Sequence, residues 1–158
     1  MFVNLYNNMW NTNFRLWQDG SWSERVTLWP LSRGSDAVGD IAEKAWEARL
    51  PLLAAVCRGP AGTLPLSQMG LALSRRGVLV TAFGDDPDGN AGILLRVWEQ
   101  GGRAGDLTVS LPHGLNATHA VPVNLRGEPV GDSLAIAAGT FTFPLPAFAP
   151  ASFVLTNR

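Results

Sequence analysis

Cysteine, charge and long apolar runs are all scarce in this sequence. Cys57 is the single cysteine, which excludes an internal disulfide and a cysteine-based metal cluster. Charged residues make up 16% of the chain and the formal net charge is −1, so no broad basic surface for nucleic acid is expected. The longest apolar runs, such as residues 52–57, fall far short of the ~20 residues that a membrane-spanning helix needs. We therefore expect a soluble protein whose partners include neither nucleic acid nor a membrane.

The N-terminus also lacks a recognisable targeting signal. It begins MFVNLYNN, with no basic region and no cleavage site, so no signal peptide is predicted. Because the chain opens at once with residues typical of a β-strand, we expect it to be a piece of a larger protein. Its 158 residues are enough for one domain with a sizeable core.

Residues 4–30 combine tryptophan with asparagine to an unusual degree. Four of the six tryptophans and five asparagines lie in this stretch. When buried, the indole N–H and the asparagine amide both need polar partners. The mixture therefore indicates either a demanding corner of a β fold or a polar aromatic surface that handles a sugar.

A hairpin is predicted inside the same stretch. The dipeptide Asp19-Gly20 suits a type I′ turn, because glycine and, less readily, aspartate accept positive φ. The turn would join strands over residues 14–17 and 22–29. Cross-strand pairs of this kind stabilise antiparallel strands, and the expected pairs are Trp17 with Trp22 and Arg15 with Glu24.

The rest of the chain predicts one short helix followed by many short strands. Asp40 is the expected N-cap of a helix over residues 41–50, and Pro51 limits that helix. Short apolar or alternating runs between proline and glycine turns predict strands over residues 2–6, 78–83, 93–99, 107–111, 117–125, 134–138, 140–145 and 152–156. This spacing is typical of a sandwich. The predicted fold class is all-β, an antiparallel β-sandwich with one short helix near residues 41–50.

Two of these strands carry more specific expectations. Residues 78–83 are nearly all apolar, which is typical of a central strand covered on both faces. Residues 93–99 and 107–111 alternate in polarity and flank a glycine-rich turn at residues 101–105, which predicts a hairpin.

No catalytic or metal-binding constellation is recognisable. His113 and His119 lack the further ligands of a zinc site, and residues 85–90, DDPDGN, lack the spaced glutamate of a calcium loop. Glu99 and Glu128 are a conceivable carboxylate pair for glycoside hydrolysis, but each lies close to glycine in a turn-like context. We therefore predict no catalytic residue, no metal ligand and no cofactor in this chain.

The candidate binding residues lie in the tryptophan and asparagine stretch. Indole faces suit the C–H faces of sugar rings, and asparagine or arginine can hydrogen-bond hydroxyl groups. The predicted carbohydrate-binding or active-site-rim residues are Trp10, Asn11, Asn13, Arg15 and Trp17. The alternative is structural, with the indoles packed in a core and the asparagines bonded to their own backbone.

Several segments resemble one protein family. They are NNMWNTNFRLWQDGSWSERVTLWP, LPLLAAVCRGPAGTLP, GVLVTAFG, GILLRVWEQGGRAGDLTVSLP and FAPASFVLT. Together they resemble the C-terminal β region of large bacterial proteins related to glycoside hydrolase family 38, the α-mannosidases. In that family a separate N-terminal α/β barrel carries the zinc ion, the aspartate nucleophile and the acid/base residue. No motif of that barrel matches this chain.

The resemblance implies an accessory role. Residues 1–158 would form a single β-sandwich domain, the C-terminal fragment of a larger multidomain glycoside hydrolase, and would be inactive alone. The expected partners are the catalytic domain of the same polypeptide and glycans. Any zinc would belong to that catalytic domain, and residues 7–14 would form a loop at the active-site rim. The bacterial cytoplasm and the periplasm are both compatible locations.

Two other functions fit the same residues. The first is an autonomous carbohydrate-binding module, in which aromatic residues on one sheet face bind glycan directly. The second is a structural interaction domain with no ligand of its own.

Overall fold

The computed structural model describes Val3 and residues 19–31, 37–50, 52–56, 58–60, 62–63, 65–87 and 92–157. The chain divides into two compact units, Met1–Pro30 and Leu31–Arg158. The described helix and strands all belong to the second unit. The expectation that one domain spans residues 1–158 stays a prediction.

The described part of the first unit contains no regular strand. The backbone of residues 21–30 is irregular, so the strand predicted over residues 22–29 is wrong. An isolated two-stranded hairpin is at best marginally stable in water, so the turn signal of Asp19-Gly20 does not suffice to form a regular strand here. The other hairpin strand, over residues 14–17, lies outside the described residues. So does the strand predicted over residues 2–6, apart from Val3.

The helix, α1, spans Ala37–Arg49. It was predicted over residues 41–50 and begins earlier, so Asp40 lies within its first turn instead of capping it. A carboxylate there still favours the helix, because the first turn carries partial positive charge. The last helical hydrogen bond runs from the N–H of Leu50 to the carbonyl of Trp46 at 3.0 Å. Within the described ranges, none of the helical residues forms an apolar segment of the length that a membrane span requires.

In the part of the chain that the structure describes, eight strands form two antiparallel sheets. The strands are β1 Ala72–Leu73, β2 Val78–Asp85, β3 Ile93–Glu99, β4 Gly105–Ser110, β5 His119–Pro122, β6 Leu134–Ala135, β7 Thr140–Leu145 and β8 Pro150–Thr156. The smaller sheet has the order β1-β4-β7, and the larger has the order β2-β3-β8-β5-β6. The predicted all-β sandwich with one short helix is therefore confirmed.

Two predictions about strand pairing are wrong. First, β3 pairs with β2 and β8, whereas β4 pairs with β1 and β7, so residues 101–104 carry the chain from one sheet to the other and do not close a hairpin. Second, β2 is an edge strand of the larger sheet and not a central one. Its apolar residues reflect partial cover on both faces, since the first five residues of the strand are buried or half-buried and the last three are exposed.

The core lies between the two sheets. Its buried members are Val78, Leu95, Val97, Leu107, Val109, Ala120, Phe141, Phe143, Leu145, Phe153 and Leu155. Three phenylalanines join the sheets: the ring centroid of Phe153, in the larger sheet, lies 5.3 Å from Phe141 and 4.5 Å from Phe143 in the smaller. Such offset and edge contacts add to the stability gained from burying apolar area.

The face of the larger sheet that points away from this core is here called the outer face. It carries Arg96 and Trp98, which alternate along β3 with the fully buried Leu95 and Val97. A second, smaller cluster of buried residues lies on the outer face, formed by Leu94, Val123 and Val154.

Candidate functional site

The five predicted binding residues lie outside the described part of the chain. They are Trp10, Asn11, Asn13, Arg15 and Trp17. Their assignment to a carbohydrate site or an active-site rim therefore stays a prediction. So does the assignment of residues 7–14 to a rim loop.

A groove lies between α1 and the outer face of the larger sheet. It encloses about 650 Å³, within the range of about 300–1,000 Å³ that small-molecule sites occupy. The helix contributes Ala42, Ala45, Trp46 and Arg49, the sheet contributes Leu79, Thr81, Arg96 and Trp98, and Gln100, Leu125 and Pro150 complete the described lining. This set of residues is named the helix–sheet groove below.

Two tryptophans give the groove its aromatic surface. Trp98 is 46% exposed, and its indole is held in place because Nε1 donates to the carbonyl of Phe148 at 3.1 Å. Across the groove, the guanidinium carbon of Arg49 lies 5.9 Å from the ring centroid of Trp46. That distance is within the range of a cation–π interaction, so Arg49 and Trp46 form one stacked unit on the helix.

Arg96 places a second positive charge in the sheet side of the groove. Its Nε donates to the buried hydroxyl of Ser152 at 2.9 Å, which fixes the plane of the guanidinium. None of the described residues accepts a hydrogen bond from its two terminal nitrogens. Arg96 is therefore oriented by the neighbouring strand β8 and keeps donors available for a ligand.

The N-terminal half of α1 is attached to the sheet by ionic and backbone contacts. Arg76 Nη2 lies 2.6 Å from Glu43 Oε2 and 2.7 Å from Asp40 Oδ1, and the N–H of Gly77 donates to Glu43 Oε1 at 3.1 Å. The hydrogen bond from Arg76 lowers the pKa of Glu43; burial opposes this, and the Gly77 N–H adds to the lowering. Glu43 is therefore favoured in its charged form, which maintains the attachment.

Glycines allow the close approach at this attachment. Gly77 has φ of +78°, and a Cβ placed there would lie 3.2 Å from the Cα of Gly39 and 3.3 Å from the Cα of Gly101. Both neighbours are backbone atoms and cannot rotate away. The first turn of the helix thus lies directly on the sheet, whereas Trp46 and Arg49, further along α1, line open space.

Glu99 fixes the end of β3, next to Trp98. It is 1% exposed and accepts hydrogen bonds from the N–H groups of Gly101, Gly102 and Phe148 at 2.8–2.9 Å. Burial by itself raises the pKa of Glu99, but hydrogen bonds from the backbone N–H groups of Phe148, Arg103, Gly102 and Gly101 outweigh it, and the net pKa is lowered. Glu99 is thus a structural anion that holds the crossing between the sheets.

The bonds of Glu99 leave it unsuited to acid/base catalysis, because its oxygens are occupied by backbone donors. Glu128, the second member of the conceivable carboxylate pair, accepts a hydrogen bond from Asn124 Nδ2 at 2.7 Å across a turn.

Within the described ranges, no group of three or more histidine, cysteine, aspartate or glutamate side chains is arranged to hold a metal ion.

A second hollow adjoins the helix–sheet groove. It encloses about 340 Å³ and lies over β5 and β8, with Leu125 and Pro150 lining both spaces. Leu125 is 72% exposed. The two spaces are thus neighbours that share these two lining residues.

Sequence reasoning missed this groove although part of its signal was visible. The alternation along residues 93–99 already put Arg96 and Trp98 on the same face, opposite to Leu95. This alternation does not predict the other wall of the groove. No pattern in the sequence indicates that helix α1 places Trp46 over that face. Comparison with protein-family models, with curated proteins and with solved structures finds no match to this chain.

Proposed function

We propose that this chain is an accessory β-sandwich domain of an α-mannosidase-like glycoside hydrolase. It packs against the catalytic domain of the same polypeptide and is not catalytic alone. The sandwich fold agrees with the role expected from the resemblance, and the bonds of Glu99 and Glu128 to neighbouring turns speak against a catalytic pair in this unit.

One observation carries the packing role: the segment after α1 exposes large apolar side chains. Leu52 and Leu53 are 101% and 98% exposed, Leu66 is 109% exposed, and Val56 and Met69 are largely exposed too. Burying one leucine fully is worth about 1.5–3 kcal/mol, so a folded domain gains by covering them. A neighbouring domain that covered them would gain this free energy, and such a domain is the partner that the resemblance supplies.

A second candidate is an autonomous carbohydrate-binding module. The observation that favours it is that Trp46 and Trp98 both line the helix–sheet groove. A module would bind glycan without any neighbouring domain, whereas the accessory role requires one.

Hydrogen exchange tests the accessory role. The amides of residues 52–69 are compared between this chain alone and the polypeptide translated from the whole open reading frame. We expect fast exchange in the isolated chain and strong protection in the longer polypeptide, because the catalytic domain covers the segment. Equal exchange in both, or an open reading frame that adds no catalytic domain, would contradict the proposal.

A matched variant shows whether the segment serves the partner or the chain itself. Leu52→Ser with Leu53→Ser should leave the unfolding free energy of the isolated chain within about 0.5 kcal/mol of wild type, since both side chains are exposed. In the longer polypeptide the same variant should increase exchange over residues 52–69. A large loss of stability in the isolated chain would show that the segment packs within it.

A further inference from the structure

We propose that the helix–sheet groove is a binding site for a saccharide that carries a carboxylate. The ligand would place a sugar ring against the indoles of Trp46 and Trp98 and its carboxylate on the guanidinium of Arg96. The inference concerns a different surface from residues 52–69 and does not rest on the accessory role.

The groove stays open because α1 is attached to the sheet through its N-terminal half. The ion pairs of Arg76 with Asp40 and Glu43 fix the first half of the helix, and close backbone contact at Gly77 brings it onto the sheet. Trp46 and Arg49 then extend over the outer face without filling it. A site that exists before binding costs little ordering free energy when a ligand enters.

The charge of the groove selects an anion. Arg49 and Arg96 both line it, and no aspartate or glutamate is among its described lining residues. This contrasts with a chain whose formal net charge is −1. A guanidinium presents a planar fork of donors that matches a carboxylate in a bidentate geometry, and Ser152 already holds the fork of Arg96 in one plane.

The aromatic residues select a ring with apolar faces. The indole plane of Trp98 is fixed by its bond to Phe148 and remains 46% exposed. Trp46 is braced by Arg49. Saccharide rings offer C–H faces to such planes and hydroxyls at their edges, and Thr81 and Gln100 supply polar groups in the same lining.

The shape of the surface favours more than one sugar unit. The adjoining hollow over β5 and β8 lies next to the groove and shares Leu125 and Pro150 with it. A short chain of sugars would extend over these two residues into the hollow, with its carboxylated unit at Arg96. A single small anion such as acetate would use only the arginine.

The test titrates the 158-residue chain with two matched probes. One is a trisaccharide of galacturonic acid or of glucuronic acid, and the other is its methyl ester, which keeps the rings and removes the charge. Tryptophan fluorescence and calorimetry report binding. We expect saturable binding of at least one acid, and binding of its ester weakened about tenfold or more, as loss of a charged hydrogen-bonded pair implies.

Variants locate the site. Arg96→Gln should weaken acid binding about tenfold or more and leave ester binding nearly unchanged, while Arg96→Lys should give an intermediate loss because it keeps the charge without the fork. Trp98→Ala should weaken the binding of both probes. Trp98→Phe, which keeps an aromatic ring, should weaken it less. Arg58→Gln is the control, since Arg58 is exposed and lies outside the described lining.

Circular dichroism and the thermal midpoint confirm that each variant is folded before it is titrated. The proposal would be overturned if neither acid bound, or if the acid and its ester bound equally well. It would also be overturned if Arg58→Gln and Arg96→Gln lost the same affinity for the acid. Hydrogen exchange over residues 52–69 follows other residues, so the accessory role and the groove can fail separately.

Discussion

The two faces of the larger sheet differ sharply although they are built from the same strands. On the inner face of β3, Leu95 and Val97 have no exposed surface. On the outer face, one residue away in each direction, Arg96 is half-buried and Trp98 is 46% exposed. The inner face packs against the second sheet, whereas among the described residues helix α1, attached near its N-terminus, covers part of the outer face.

This difference suggests different roles for the two faces: the inner face stabilises the fold, and the outer face can bind a ligand. On the inner face the side chains are closely packed, so a substitution that changes side-chain volume lowers the free energy of unfolding. Part of the outer face is packed as well, around the small cluster of Leu94, Val123 and Val154. Around the helix–sheet groove, however, a few directed bonds hold the structure, those of Arg76, Ser152 and Phe148, and leave room between them. A ligand can enter where the fold is fixed by directed bonds and not by filled volume.

The largest expected effect breaks the inner face. Leu95→Ala should lower the unfolding free energy by about 2–5 kcal/mol, because a fully buried leucine leaves a cavity as well as losing its own burial. Leu79→Ala, on the groove side, should cost about 1 kcal/mol or less, since Leu79 is half-buried and borders open space. Urea unfolding of both variants measures the contrast. Similar losses at the two positions would mean that the outer face is packed as tightly as the core.

The next effect concerns the one charge on the inner side of β3. At pH 7, Glu99→Gln should cost about 1.5–3 kcal/mol, because the amide replaces a carboxylate that several backbone N–H groups share. The folded pKa of Glu99 is lowered, so its stabilisation is present above the unfolded pKa and is lost as pH falls through the folded value.

The stability difference between wild type and Glu99→Gln should therefore be largest near neutral pH and shrink below the ordinary value of 4.5. Urea unfolding at pH 7 and in a series of buffers below pH 4.5 gives this difference directly. The other carboxylates titrate in both proteins and cancel in the comparison. A difference that stays constant through acid pH would rule out a charged Glu99 as the source of the stability.

Strand positions followed from the sequence, but strand pairing did not. Polarity alternation and proline or glycine boundaries gave residues 93–99 and 140–145 as they stand in the structure. The glycine-rich residues 101–105 looked like a hairpin turn, because turn residues mark only that the chain changes direction. In the structure this segment is a crossing between the sheets, and Gly101 and Gly102 donate to Glu99 within it.

The site shows the same limit more strongly. Its residues come from α1, β2, β3, the start of β8 and two loop positions, so segments that lie far apart in the sequence build it together. Composition drew attention to residues 4–30 instead, because tryptophan and asparagine are concentrated there. Local pattern can assign a residue to a face of its own element, but which element covers that face depends on distant contacts such as Arg76 with Glu43, which are 33 residues apart.

The smallest expected effect on stability tests how the outer face is held. Arg76→Gln removes the ion pairs to Asp40 and Glu43, yet the Arg76 side chain is 62% exposed and such pairs are worth about 0–1 kcal/mol. We expect a change of that size in the global unfolding free energy. Locally, α1 should open more often, so amides of residues 41–50 should exchange faster while those of β3 and β8 stay unchanged.

The control is Arg58→Gln, which loses the same charge and should alter neither the unfolding free energy nor the amide exchange of the helix. If helix exchange does not change in Arg76→Gln, the close glycine contact at Gly77 and not the ion pair holds the helix, and Gly77→Ala should then produce the local opening.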